Sequence, residues 1–322
     1  MMLQSSVEKM ACCSVQGAKI WNKGCRALHS FDRRRRLELF RNEQNRQTMF
    51  YEKKIEKVFW TIENESEGDP LKVLMNRNIS TYRDCIKHIS RLKADRMALA
   101  YTNGSYKSVF EKLSDNGTVT PLGYNCRDKL HADAAYWRTC AFLLGAVVEE
   151  AFSFDVQLLG PSKADYHSGR FEYVTRIENL NNWTPNSDNL FALTEKAVGE
   201  YIKNSLTIEP LLVSVEFALD LFDSNIQKQK LVHEMKHETE NSGEGVIIYR
   251  MGDFVDITYG PLIQCTSHID KFAVTKVECD SFEYRFIGVS VPKELKCSSY
   301  SWDLICNASV MPVVPGKKLL EA

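Results

Sequence analysis

The chain has 322 residues, 44% hydrophobic and 26% charged, which allows two domains with a core each and makes most of it ordinary globular protein. No stretch approaches the ~20 consecutive apolar residues of a membrane span, so a spanning protein is excluded and a soluble one expected. The formal net charge of −1 hides an asymmetry: residues 1–46 hold ten Lys/Arg and four Asp/Glu, a net of +6, which leaves 31 − 38 = −7 for the remainder.

The first thirty residues contain one acid, Glu8, beside Lys9, Lys19, Lys23 and Arg26. That acid-poor, basic profile predicts an organelle transit peptide over 1–31, and Arg26-Ala-Leu before His29-Ser resembles a mitochondrial processing site. The ten cysteines show no C-x-x-C pair and no repeated spacing, the pattern of reduced thiols rather than of a disulfide frame or a zinc knot. Residues 32–50 combine Arg33, Arg34, Arg35, Arg36, Arg41 and Arg46 with Leu37, Leu39 and Phe40 in a basic helix. Guanidiniums in that density predict RNA phosphate contacts, set against the plainer reading of a solvated charged helix.

From Ile55 the pattern turns to strands, "KIEKVFWTI" and "PLKVLMN". Thr81 with Asp84 three residues on marks a helix start, with Cys85, Ile86, Ile89 and Leu92 as its apolar face. "MALAYTNGSYKSVF" reads as a hairpin turning at Asn103-Gly104. Residues 133–152, opened by Asp133, carry one apolar stripe and form the clearest helix. Residues 186–204 and 209–240 read as helical too, whereas "GVIIYRMGDFVDITYGPLI" and "AVTKVECDSFEYRFIGVSV" alternate as strands. The tail at 307–322 shows no element and is expected to be flexible.

Several of these segments carry a resemblance. "GDPLKVLMNRNISTYRDCIKHIS" and the Asn-Gly hairpin resemble a TGS domain, the ubiquitin-like module that opens threonyl-tRNA synthetase. "AYWRTCAFLLGAVVEEAF", "GDFVDITYGPLIQCTS" and "YRFIGVSVPKEL" resemble, in order, the first helix, the pocket strand and loop, and the closing segment of that enzyme's editing domain. Over about residues 33–305 the wording is similar to a mitochondrial large-subunit ribosomal protein family related to those two domains. The resemblance implies an α+β fold: a ubiquitin-like (β-grasp) TGS-like domain at 51–127, then an editing-like α+β domain at 130–306.

The synthetase editing site uses H-x-x-x-H on the helix and C-x-x-x-H on the later strand and loop. Carried over, the helical positions are Arg138 and Phe142, and the others are Thr258 and Leu262. Arginine stays charged near neutrality, phenylalanine and leucine have no lone pair, and a hydroxyl poorly replaces a thiolate. The resemblance therefore implies a degenerate site without ester hydrolysis, and a chain that stops where the aminoacylation domain would begin.

"HEMKH" at 233–237 fits the zinc-peptidase pattern H-E-x-x-H. The extended form fails, because Glu240 stands where its Gly is needed and Gly243 where its third His is needed. The surrounding Lys and Glu are those of a solvated helix end. His29, His88, His131, His167 and His268 form no ligand spacing, and no cofactor is expected.

These readings converge on a non-catalytic component of the mitochondrial large ribosomal subunit in the matrix, with ribosomal RNA and neighbouring ribosomal proteins as partners and no small-molecule substrate. The acidic remainder favours much protein contact, since an RNA-only binder is basic overall. A free-standing hydrolase of mischarged tRNA and a zinc peptidase are the enzyme alternatives.

Overall fold

The computed structural model describes residues 23–63, 69–126, 129–152, 156–162, 169–180, 183–239, 245–280 and 282–311, with the side chains of 23–31, 179 and 236–239 left aside. Most of the predicted transit segment, 1–22, and the end of the tail, 312–322, lie outside the described residues. The architecture is mixed α+β with three sheets. No helix among the described residues is long and apolar enough to cross a membrane.

The chain opens with α1 (Lys23–Glu52), which begins inside the segment expected to be a transit peptide and covers the predicted basic helix. A first unit follows: β1 (Lys57–Ile62), β2 (Leu71–Asn76), α2 (Tyr82–Lys87), α3 (Arg91–Arg96), β3 (Leu99–Thr102), β4 (Ser105–Lys107) and β5 (Gly117–Leu122). Its strands form one sheet in the order β2-β1-β5-β3-β4, with β1 and β5 parallel at the centre. Alternation decides its faces: Val58, Trp60 and Ile62 of β1 point inward onto Tyr82, Cys85 and Ile86 of α2. The Thr81 capping box forms as its spacing predicts, with each partner accepting from the other's backbone N–H. The apolar face assigned to one helix is split, since α2 ends at Lys87, Ser90 caps α3, and Leu92 is left exposed. The hairpin turns at Asn103 and Gly104, both at positive φ.

The second part begins with α4 (Lys129–Ala151), so Asp133 lies inside the helix rather than at its cap. The chain continues through β6 (Gln157–Pro161), β7 (Phe171–Arg176), α5 (Ser187–Lys196) with a π-helical extension over Ala197–Ile202, β8 (Ile208–Ser214), α6 (Val215–Leu221) and α7 (Ile226–Thr239). It ends with β9 (Gly245–Met251), β10 (Phe254–Ile257), β11 (Ile269–Asp280), β12 (Glu283–Pro292) and α8 (Ser299–Val310). Two antiparallel sheets result, β11-β12-β7-β6 and β10-β9-β8, with α4 in the core between them.

Two expectations are corrected here. Residues 208–214 form an edge strand paired along its length with β9, not the start of a helix. Pro210 explains it: proline lacks the amide that a helix interior needs and is tolerated at a sheet edge. The start of the expected structureless tail is helical, because α8 lays its residues against β11 and β12 and runs to Val310.

The core closes tightly around α4. A Cβ added at Gly145 would sit 2.5 Å from the Tyr173 ring, so only glycine lets β7 approach the helix this closely. Gly145→Ala is expected to destabilise the protein by about 1–3 kcal/mol through overpacking, read as an earlier urea midpoint with an unchanged slope.

Candidate functional site

The four positions that the resemblance assigns to an editing site, Arg138, Phe142, Thr258 and Leu262, all lie on or beside the α4–β10 contact. Phe142 is fully buried and packs edge-on against Phe254, with ring centroids 4.9 Å apart, and against Tyr249. Leu262 is buried in the same apolar cluster. Its backbone is clamped by Ser108 of the first unit, whose hydroxyl lies 3.0 Å from the Leu262 N–H and 2.9 Å from its carbonyl. Arg138 bends toward the turn after β10 and donates from Nε and Nη2 to the carbonyl of Pro261, at 3.2 and 2.9 Å. Gly260 makes room for it: a Cβ there would lie 3.4 Å from the Arg138 guanidinium carbon. Thr258 is buried, and its hydroxyl finds no hydrogen-bond partner among the described residues. The space is therefore filled by two apolar side chains and a guanidinium spent on backbone. None of the four can exchange a proton near neutrality.

Two residues before Thr258 lies a group that the sequence reading passed over. Asp256, 0% exposed, sits in the otherwise apolar β10 and faces Lys228 of α7, itself 1% exposed, with Nζ 2.6 Å from one carboxylate oxygen. Tyr173 donates to the other carboxylate oxygen at 2.6 Å, and Lys228 lies 3.1 Å from its hydroxyl. Burial pushes Lys228 below its ordinary value, and the Asp256 carboxylate offsets this only in part. Burial, reinforced by Asp256, holds the Tyr173 phenol well above its ordinary range. The available signal was an acid inside an apolar strand, "FVDI", which demands a buried cation elsewhere in the chain.

Beside this group Arg36 of α1, also buried, forms an ion pair with Glu149 of α4 and donates to the carbonyl of Val255 at 3.2 Å. Burial works against its charge, but Glu149 and Asp32 outweigh that and keep its pKa above the usual guanidinium value. Arg33 pairs with Glu150, and Arg35 bridges Asp220 at 2.9 Å and Asp223 at 3.0 Å. Arg41 meets Asp253 at 3.3 Å with both side chains more than half exposed, and Arg46 reaches back to Glu43. Of the six arginines assigned to RNA, Arg33, Arg35 and Arg36 thus hold α1 onto the fold, and Arg34 is exposed.

The "HEMKH" stretch lies on α7, with His233 exposed and Glu234 accepting from the Tyr259 hydroxyl at 3.3 Å; the His237 side chain is outside the description. His268, which sequence spacing left without a role, is a seam residue. Its ring bonds the Tyr124 hydroxyl at 3.1 Å and the Asp95 carbonyl at 2.9 Å, while Gln264 donates to the carbonyls of Ala94, Asp95 and Met97. These bonds stitch the first unit to the second. A cleft of about 480 Å³ opens along that seam, lined by Asp95, Arg96, Ser267, His268, Lys293 and Glu294.

No family model matches the chain. It is similar to threonine–tRNA ligases: 24% identical over 242 residues to the probable cytoplasmic ligase 1 of Dictyostelium discoideum, and 25% over 219 residues to the cytoplasmic ligase 2 of Homo sapiens. Those matches take in 70% and 63% of this chain, but the chain spans only 30% and 24% of the ligases' own length. A further likeness runs nearly end to end. The chain is 27% identical over 287 residues to the large ribosomal subunit protein mL39 of Drosophila melanogaster, covering 86% of this chain and 84% of that protein.

The buried pairs predict a specific coupling. Arg36→Met removes the close partner of the buried Glu149, leaving Arg33 at 3.9 Å, and should cost up to about 3–5 kcal/mol, whereas Arg36→Met with Glu149→Leu should recover most of that loss. Urea titrations of the single and double variants measure it. With Glu149→Leu measured alone as well, a double-variant loss equal to the sum of the two single losses would show that the pair is not coupled.

Proposed function

We propose that the chain is a non-catalytic structural component of the mitochondrial large ribosomal subunit. In this reading its first unit is a TGS-like β-grasp domain, its second a degenerate editing-like domain, and both serve as docking bodies. The observation that carries it is the end-to-end likeness to a large ribosomal subunit protein, beside a partial likeness to the ligases. The packing agrees, since the positions that would do hydrolysis hold Phe142, Leu262, a buried threonine hydroxyl and an arginine bonded to Pro261.

Ribosomal RNA and adjoining ribosomal proteins of the matrix particle are the proposed partners. Phosphate contacts fall to the outer flank of α1, at Arg34, Arg41 and Arg46, with Arg33, Arg35 and Arg36 fixing that flank in place. An exposed pair such as Arg41–Asp253 is worth at most about 1 kcal/mol, so its guanidinium exchanges a carboxylate for a phosphate at little cost. Contacts of this kind position a protein on RNA without reading sequence.

Sucrose-gradient sedimentation of a mitochondrial lysate tests the reading: the protein should migrate with large-subunit RNA at moderate salt, and confinement to the top fractions would sink it. The purified chain should also hydrolyse mischarged threonine-specific tRNA no faster than buffer. Turnover above the uncatalysed rate would revive the hydrolase alternative.

A further inference from the structure

The first unit keeps its core on one face of its sheet and leaves the other uncovered by described residues along β1 and β2. Register puts Phe59 directly opposite Leu74, Lys57 opposite Asn76, and Thr61 opposite Lys72. All six lie on the outer face, because their neighbours Val58, Trp60, Ile62, Val73 and Met75 are the buried ones. Phe59 is 65% exposed and Leu74 51%, with Ile55 exposed at the margin. Large apolar residues gathered at one place on a surface mark a contact site more often than single ones do.

β2 is also the outermost strand of that sheet. Its register with β1 runs from Lys57↔Asn76 to Ile62↔Leu71 without a shift, so no bulge twists the edge away, and no proline interrupts it. Every second residue of such a strand turns its N–H and C=O outward; the Asn76 N–H is taken by the Ser80 hydroxyl at 3.1 Å, which leaves the groups of Lys72 and Leu74 to pair with an added strand. Lys72 and Lys57 stand beside this edge, and neither ammonium meets a carboxylate among the described residues; Lys57 bonds the neutral Asn76 side chain.

Resting on the assembly reading above, we infer that β2 receives an extended segment of a neighbouring protein, added as a sixth strand. Main-chain bonds to the β2 edge hold it, apolar side chains at alternate positions cover Leu74 and Phe59, and an acidic side chain meets Lys72. Protein fits this place better than RNA, because a nucleic-acid backbone cannot continue the ladder and the aliphatic Leu74 and Ile55 offer it little.

The test uses the full chain carrying Leu74→p-benzoylphenylalanine, incorporated in cells and photolysed in gradient-purified large subunits. Sedimentation of the unsubstituted chain checks the assembly reading separately: if that chain is absent from the particle, both readings fall, and if it is present, the crosslink decides this one. The expected adduct is a second polypeptide, resistant to ribonuclease, mapping to an extended stretch with alternating apolar residues and an acid. An adduct with RNA, one with this chain's own residues 1–22, 64–68 or 312–322, or none in particles that contain the chain overturns the inference. Phe59→Thr with Leu74→Thr, a strand-compatible polar pair at two exposed, directly opposed positions, should leave the melting temperature little changed and lower particle association at least about tenfold. Unchanged association of that folded variant would equally overturn it.

Discussion

The fold depends on the need to neutralise charge in its interior. Arg36, Glu149, Lys228 and Asp256 are all buried, and they come from α1, α4, α7 and β10, with Tyr173 of β7 joining the set. An isolated ion in such a place costs several kcal/mol, so each charge is tolerable only when its partner's element is docked. The pairs need not add stability over a well-packed apolar core. What they impose is correct assembly, since misplacing α1 or α7 leaves a carboxylate uncompensated. Leu37 and Phe40 then supply the apolar side of the same contact, packing with Val255 and Ile257 of β10 and the adjoining strands.

This constraint explains what could and could not be read from the sequence. The Thr81 capping box and the Asn103-Gly104 turn are local devices, and each forms as its residues dictate, whereas the helix read from one apolar stripe is α4, buried on every face from Thr139 to Glu149. The run Arg33 to Arg36 looks like a phosphate-binding arm because composition cannot say where its counter-charges are. Glu149, Asp220 and Asp223 lie more than a hundred residues away in sequence and reach the arginines only through the tertiary fold. The same applies to β8, where an apolar run ambiguous between helix and strand is settled by Pro210 and the waiting edge of β9. The acids embedded in "GAVVEEAF" and "FVDI" were the one local trace of the network, since a carboxylate in an apolar run predicts a buried cation without naming it.

The sequence names the four candidate positions but not how they pack. Resemblance located Arg138, Phe142, Thr258 and Leu262. The structure adds that Arg138 is anchored on Pro261, that Phe142 belongs to an aromatic cluster with Tyr249 and Phe254, and that Ser108 of the first unit ties down Leu262. Ile263 follows by donating to the Thr139 hydroxyl of α4 at 3.0 Å. The turn after β10 is a structural joint between α4, β10 and the first unit.

A joint of this kind changes what the residues around it are for. A hydrolytic pocket needs space for a substrate and a group that gains and loses a proton, and both demands oppose dense packing. Once neither holds, bulky apolar side chains can fill the space, as Phe142 and Leu262 do, and the interior is free to serve rigidity alone. The polar seam through Gln264, His268 and Tyr124 then fixes the first unit against the second. The result is one continuous body whose outer surfaces keep a set spacing. The buried ions and the packing around Phe142 and Leu262 both act to hold that spacing.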